Sequence, residues 1–405
     1  MKRTALENWI CSVDAMPTLT RSGLEALQLE RLNALLSREK RRSGFYRGLP
    51  EHLDSLDGLD ALPFTTPVDL ASSCSSLLLT STSEVRRIIS DTTSGTTGPA
   101  KRIFYTGRDI EHTVGFFAAG ISELVSRGDA VLVAMPFSGP DGLGELICRA
   151  IARLGARAVP AGVSVPLGVL DELLDRERPS AYIGMSVPLL SLLRWRRSCG
   201  RELYIERALV SGDACPEGVC REIEALLGTR LFPHYGSREM CLGGAVTCQA
   251  HEGMHIRENH IIAEIIGPDG RPLPDGETGE LVITTLDMQA MPLIRYRTGD
   301  ITRILPEPCP CGGITRRLDR VRRAGSLMEE LDSSLFRLEG LIDYRASVSD
   351  AVLQIDAVGD VSPNELASAS GGLYGNTAVS VVAATPEFCG CYKGKRSIVT
   401  TEGIS

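Results

Sequence analysis

The sequence predicts an α/β fold: a larger N-terminal domain with parallel-rich sheets and a β-subdomain, followed by a small α+β unit. Three observations carry this expectation. From about residue 85 onward, short β-rich runs alternate with helical ones, which implies crossover connections and a largely parallel sheet. Residues 255–304 are strand-rich and punctuated by Asn, Asp, Gly and Pro turns. The 405 residues, 43% of them hydrophobic, exceed the length at which one core usually divides, so two domains are expected.

Residues 20–42 place Leu24, Leu27, Leu29, Leu32, Leu35 and Leu36 at helical spacing among charges, the pattern of an amphipathic packing helix. VRRIIS reads as a strand and DTTSGTTGPAKR, residues 91–102, as the loop after it. A helix from Asp109, the strand AVLVAMP, the Gly-rich turn SGPDGLG and the helix ELICRAIARLGA follow. The alternation continues with ARAVPAG, a helix near VLDELLDRE, the strand AYIGM, and the strand RALVSGD with the helix PEGVCREIEALLG. Past Asp319, DYRASVSDAVLQIDAV and TAVSVVAAT read as strands around a helix at SPNELASAS.

The loop at 91–102 is the most informative segment. Small residues let backbone N–H groups approach an anion, hydroxyls add donors, and a lysine supplies a point charge. Thr93, Ser94, Gly95, Thr96, Thr97 and Gly98, with Lys101, therefore suit a polyphosphate. The spacing is not that of the P-loop, which needs four residues between its glycines and a lysine directly after the second. A different nucleotide fold is implied. With a net charge of −8, nucleic acid is not an expected partner, and any polyphosphate site must build positive potential locally.

Two distant segments, PHYGSREM at 233–240 and PLIRYRTGD at 292–300, complete an ordered set with this loop. The set resembles the signature of the adenylate-forming (AMP-binding) enzymes. LQLERLNALLSREKRRSGFYRGL, LDALPFTTPVDL, HIRENHIIAEIIGPDGRPLPDGETGELVITTL and MPLIRYRTGDITRILPEPCPCGGITRRLDR narrow the resemblance to the branch of phenylacetate-CoA ligase, over most of residues 25–322. Ligands of open α/β sheets bind at the carboxyl ends of strands, where Ser211, Gly212 and Asp213 follow RALV and Tyr235, Gly236 and Ser237 follow RLFPH. The resemblance implies that Gly212 and Asp213 border an adenine, that Tyr235 lies against its ring, that Glu239 holds Mg²⁺ against the phosphates, and that Asp300 accepts from the ribose hydroxyls. It also implies an adenylation domain of residues 1–318 and a mobile lid of residues 319–405, shorter than the family's. The family's Gly-Arg hinge is not present in its usual form, because RRLDR runs on as VRRAGSLMEELD. Arg320 is the candidate for contact near the ribose or phosphate. In YKGKRSIV, Lys395 is the first choice, and Lys393 the second, for the lysine that approaches the carboxylate during adenylation.

Cys248-x-x-His251 and Cys309-x-Cys311 offer four soft or borderline ligands in two close pairs, which suit a structural, tetrahedral Zn²⁺. His255 or Cys241 could replace one of them. The twelve cysteines are otherwise scattered, as thiols of a reducing compartment. No apolar run is long enough to span a bilayer and MKRTALENWICSVDAM lacks an uninterrupted apolar core, so a cytoplasmic chain with no membrane partner is expected. The implied reaction is ATP-dependent activation of an aromatic or other hydrophobic acid to acyl-AMP, then transfer to coenzyme A, releasing pyrophosphate and AMP. AMPFSGPDGLG and IGMSVPLL are expected to wall the acid pocket beside Tyr235. The alternatives are transfer to a carrier-protein thiol or an amine, and a nucleotide-binding protein without turnover. A homodimer is compatible with the sequence.

Overall fold

A computed structural model describes residues 3–91, 101–323, 325–390 and 395–400. The chain forms two compact units, each discontinuous: Met1–Glu123 with Pro233–Ala324, and Leu124–Phe232 with Gly325–Ser405. The architecture is mixed α/β, as expected. The expected division into residues 1–318 and 319–405 is not the one seen: residues 124–232 group with residues 325–405, with which they share a buried core.

The second unit carries the parallel sheet. Arg157–Pro160, Ala130–Ala134, Ala181–Gly184 and Arg207–Val210 lie side by side in that order, all parallel. The runs AVLVA and AYIG are buried almost throughout, as in a sheet covered on both faces. Helices Leu143–Arg153, Leu167–Glu177 and Glu217–Leu227 are the crossovers expected from the sequence. A further helix, Ser186–Ser198, carries no readable period because nearly every face is buried, Arg194 and Arg196 included. Its Pro188 lies in the first turn, where proline is tolerated.

The C-terminal strands Thr377–Val382, Val352–Gly359, Leu341–Ser349 and Val399–Thr400 form a second sheet, antiparallel at its centre and parallel at both edges. Pro363–Ser370 is the expected helix, started by a capping box between Ser362 and Glu365. Leu331, Leu335, Phe336 and Leu341 join Leu189, Leu190, Leu193, Val219 and Ile223 in one buried cluster. Arg194 donates to Phe336 O at 3.0 Å and Leu338 O at 3.1 Å, so residues 325–405 share a core with residues 124–232. Cys215 and Cys220 are joined as a disulfide, with Cα atoms 6.3 Å apart, which corrects the expectation of thiols throughout; the turn before helix Glu217–Leu227 brings the pair within bridging range.

The first unit is strand-rich where the sequence places the β-subdomain. Ile261–Ile266, Gly279–Thr285, Tyr296–Thr302 and Arg322–Arg323 form an antiparallel meander. Phe232–Tyr235, Ala245–Thr247, Met254–Ile256 and Arg317–Leu318 pair antiparallel in that order. Val85–Asp91 and Lys101–Thr106 make a separate hairpin. Thr106 and Asp109 form the capping box of helix Gly107–Ile121, and the Asp109 carboxylate also accepts from Gln289 N at 2.7 Å and Ala290 N at 3.1 Å. Helix Arg21–Arg41 buries Leu24, Leu32, Leu35 and Leu36. No helix among the described residues is long and apolar enough to cross a membrane.

Glu39, on the inner face of that helix, packs so closely on Gly44 that a Cβ there would stand 1.9 Å from its Oε2. Its carboxylate accepts from Tyr46 N at 3.2 Å, and burial pushes its pKa up to about 7. The folded chain therefore binds this proton more tightly than the unfolded chain, whose glutamates titrate near 4.5. Stability from this group is full below that value and lost as pH rises through about 7. Glu39→Gln is expected to flatten this slope in urea denaturation measured between about pH 4.5 and 8.

Candidate active site

The strand Tyr296–Thr302, which carries YRTGD, is held at its start by two buried networks. Thr65 of LPFTT bridges Tyr296, donating its N–H to Arg295 O at 3.0 Å and accepting from Arg297 N at 2.9 Å. Its hydroxyl donates to Ile294 O at 2.6 Å and lies 2.8 Å from the Tyr46 hydroxyl, which accepts from Ile294 N at 3.1 Å. Arg295 sits at φ 47°, in the left-handed region. Its guanidinium is fully engaged: Nε and Nη2 reach Glu264 at 3.2 and 2.8 Å, and Nη1 donates to Asp60 O and Leu62 O at 2.7 Å each.

At the other end of the strand, the Asp300 carboxylate is held between two donors. Tyr235 OH donates to Oδ2 at 2.7 Å, and Arg323 Nη1 donates to Oδ1 at 2.8 Å and to Thr298 O at 2.8 Å. Arg323 reaches it because Arg322–Arg323 pairs with the strand at Asp300. Burial by itself would lower the Arg323 pKa, but the hydrogen bond and charge of Asp300 raise it, so the guanidinium stays cationic.

Glu239 lies on the short helix Arg238–Met240, inside a tight turn. A Cβ on Gly236 would stand 2.1 Å from Leu242 O, so this position requires glycine. Tyr105 OH donates to Arg238 O at 2.6 Å, and Thr113 donates to Cys241 O at 2.8 Å, holding the turn from two sides. Glu239 Oε1 accepts from Tyr296 OH at 3.2 Å and lies 3.9 Å from Lys101 Nζ, which donates to the same phenol at 3.4 Å. Burial, then the adjacent carboxylates, push the Tyr235 and Tyr296 phenols far above their ordinary range, so both remain neutral donors.

Lys101, Tyr235, Glu239 and Asp300 thus meet in one polar cluster of the first unit, drawn from segments far apart in the chain. Gly236 shapes the turn, and the buried Ser237 hydroxyl has no hydrogen-bond partner among the described residues. Sequence reasoning did not find Tyr296 and Arg323. Strand pairing alone puts Arg323 on Asp300; the Arg320 N–H is on Asp319 at 2.8 Å. Thr93, Ser94, Gly95, Thr96, Thr97, Gly98 and Lys393 lie outside the described residues.

In the second unit, Ser211, Gly212 and Asp213 follow the strand Arg207–Val210, and Gly212 has the φ of 86° that favours glycine. The Asp213 carboxylate accepts from Ala214 N at 2.9 Å and from Arg396 N at 3.2 Å. Burial raises its pKa and the charge of Lys395 opposes this, so Lys395 and Asp213 are neighbours. Arg396 is clamped by Asp332 at 2.9 Å, Asp343 at 3.0 Å and Tyr344 O at 3.0 Å. Ala134 of AMPFSGPDGLG and Pro188 of IGMSVPLL both line a largely apolar cavity of this unit, with Leu132, Tyr182 and Asp343.

A second constellation of the first unit comprises Cys248, His255, Cys309 and Cys311, whose ligand atoms all lie within 4.8 Å of one another. His255, the alternative left open by the sequence, takes the place of His251, because Met254–Ile256 pairs with Arg317–Leu318 while His251 lies in the preceding turn. The Cys248 and Cys309 sulfurs are 3.7 Å apart, and Cys311 Sγ is 3.4 Å from His255 Nε2. Sulfur and imidazole ligands around one tetrahedral Zn²⁺ stand about 3.5 to 3.8 Å apart, so the donor set fits that ion. Ala250 N and Gly313 N donate to the Cys248 and Cys311 sulfurs at 3.4 and 3.3 Å. His255 Nδ1 pairs with the Thr315 hydroxyl at 2.8 Å, leaving Nε2 for the cluster, and Thr315 donates to Glu7 of helix Ala5–Val13. Burial, then Arg317, push the His255 pKa down to about 4, keeping the imidazole neutral.

Residues 91–289 match the AMP-binding enzyme family. The phenylacetate-coenzyme A ligase of Thermus thermophilus is 31% identical over 369 residues, covering 85% of this chain and 78% of the relative. That of Pseudomonas putida is 30% identical over 368 residues, covering 86% and 80%. Among solved structures, 2-hydroxyisobutyryl-CoA ligase in the postadenylation state with 2-HIB-AMP shares the fold, with a TM-score of 0.75 at 20% identity over 96% of this chain and 91% of that one. On the strength of the two phenylacetate-coenzyme A ligases, this chain belongs to the phenylacetate-CoA ligase family of AMP-binding enzymes.

Proposed function

We propose that this chain activates an aromatic or other hydrophobic carboxylic acid with ATP, forming acyl-AMP and pyrophosphate, and passes the acyl group to coenzyme A with release of AMP. The meeting of Lys101, Tyr235, Glu239 and Asp300 carries the reading. Each carboxylate oxygen accepts more than one hydrogen bond, so Asp300 keeps capacity for ribose hydroxyls beside Tyr235 and Arg323. The Tyr235 ring would lie against the adenine, with Arg320 near the ribose or phosphate. Thr93 to Gly98 and Lys101 would cradle the phosphates. Glu239 would hold Mg²⁺, which prefers hard oxygen ligands shared with phosphates and neutralises their charge. Lys395, with Lys393 as second choice, would steady the substrate carboxylate.

A carboxylate oxygen of the acid attacks the α-phosphorus in line, and the bond to the bridging oxygen breaks as pyrophosphate leaves. The thiolate of coenzyme A then attacks the acyl carbonyl, and AMP departs. The similarity to phenylacetate-coenzyme A ligases supports a hydrophobic acid. The need for ATP and coenzyme A fits a cytoplasmic location.

We also propose that Cys248, His255, Cys309 and Cys311 bind one structural Zn²⁺. Metal analysis of the purified chain is expected to find about one zinc per molecule. His255→Ala should lose it and lower the melting temperature, whereas His251→Ala should keep it. A zinc-free wild-type chain overturns the site.

Acid-dependent ATP–pyrophosphate exchange over aryl, aliphatic and amino acids tests the first half-reaction without presuming the acceptor. Exchange is expected with hydrophobic acids, and Glu239→Gln should lower it about 100-fold, or ~2.7 kcal/mol of barrier. ATP binding with no exchange on any acid overturns the function. Lys395→Ala should slow adenylation by at least about tenfold, and an unchanged rate passes that role to Lys393.

A further inference from the structure

We infer that Tyr296 is a positioning residue whose hydroxyl, set between Lys101 and Glu239, keeps these two charges from closing into a direct hydrogen bond. The inference rests on the reading of Lys101 as a phosphate ligand and Glu239 as a cation ligand.

The phenol donates to Glu239 Oε1 at 3.2 Å and accepts from Lys101 Nζ at 3.4 Å, while Nζ and Oε1 stand 3.9 Å apart. A hydroxyl can do both at once, because it carries one proton to give and lone pairs to receive. A closed ammonium–carboxylate hydrogen bond would be about 2.7–2.9 Å long and roughly twice as strong as a neutral one. It would have to be broken before Lys101 met a phosphate and Glu239 a divalent cation. With the phenol between them, both groups stay near at hand and weakly committed. Their side chains remain 20% and 17% exposed, so a ligand can still reach each one.

The phenol is well fixed for such a task. Tyr296 is 2% exposed, is bridged by Thr65, and follows Arg295, whose guanidinium is locked on Glu264 and the Asp60 and Leu62 carbonyls.

Tyr296→Phe removes the hydroxyl and keeps the ring. In acid-dependent pyrophosphate exchange with the full chain, the Mg²⁺ concentration for half-maximal rate and the KM for ATP are each expected to rise about tenfold, with kcat changed by less than about threefold. In the double variant with Glu239→Gln, the added loss is expected to vanish, because the hydroxyl acts through that carboxylate. Normal Mg²⁺ and ATP dependence in Tyr296→Phe, or full additivity with Glu239→Gln, overturns the inference. If Glu239→Gln alone leaves exchange unchanged, the reading of the site itself has failed. Should Tyr296→Phe not fold, Arg295→Lys, which slackens the strand beneath the phenol, is the second arm, with the same Mg²⁺ shift expected and an unshifted Mg²⁺ dependence counting against the inference.

Discussion

A non-glycine residue in the left-handed region gives up roughly 1–2 kcal/mol of backbone energy, and Arg295 holds φ 47° just before the strand that carries Tyr296 and Asp300. It keeps this conformation because its side chain has no better alternative. The guanidinium is 2% exposed, doubly bonded to Glu264, donating to two carbonyls and lying 4.3 Å from the Phe64 ring. Releasing it would leave a buried charge unpaired, which typically costs about 3–5 kcal/mol, more than the strain at the backbone. The local distortion therefore persists, and it sets where the strand begins. Tyr296 and Asp300 both inherit their positions from it.

The second unit solves a related problem with the charges reversed in number. Asp213, Asp332 and Asp343 surround Arg396: two carboxylates bond its guanidinium and the third its N–H. Burial pushes the Asp332 pKa up to about 6, against the pull of Arg396, because so many carboxylates in one dry place cannot all be ionised cheaply. Lys395, beside Asp213, adds compensating charge at the edge of this group. The residue next to the candidate lysine is thus one of the most firmly held on the described C-terminal chain.

Much of the crossover unit was legible in the chain, because AVLVAMP, AYIGM and RALVSGD are compact apolar runs with helical periods between them. Helix Ser186–Ser198 was not, since a helix buried on every face shows no amphipathic stripe. Tyr235, Glu239 and Asp300 were legible because each belongs to a contiguous motif. Tyr296 stood inside the same motif yet gave no sign of its partners, which lie 57 and 195 residues away. Arg323 depends on strand pairing, and His255 replaces His251 through the register of Met254–Ile256 on Arg317–Leu318; neither leaves a local trace. The discontinuous units were equally invisible to a reading that divides the chain by linear stretches.

The interleaving of the two units also sets an order on their birth. A ribosome releases residues in sequence, and Glu7 must wait for Ile314 and Thr315, 307 and 308 positions later, before its carboxylate is satisfied. The first unit can close once residue 324 has emerged, while residues 124–232 wait for the C-terminal strands that complete their core. Half-made apolar surface is therefore exposed for most of translation, the condition in which chains of this size come to depend on chaperones.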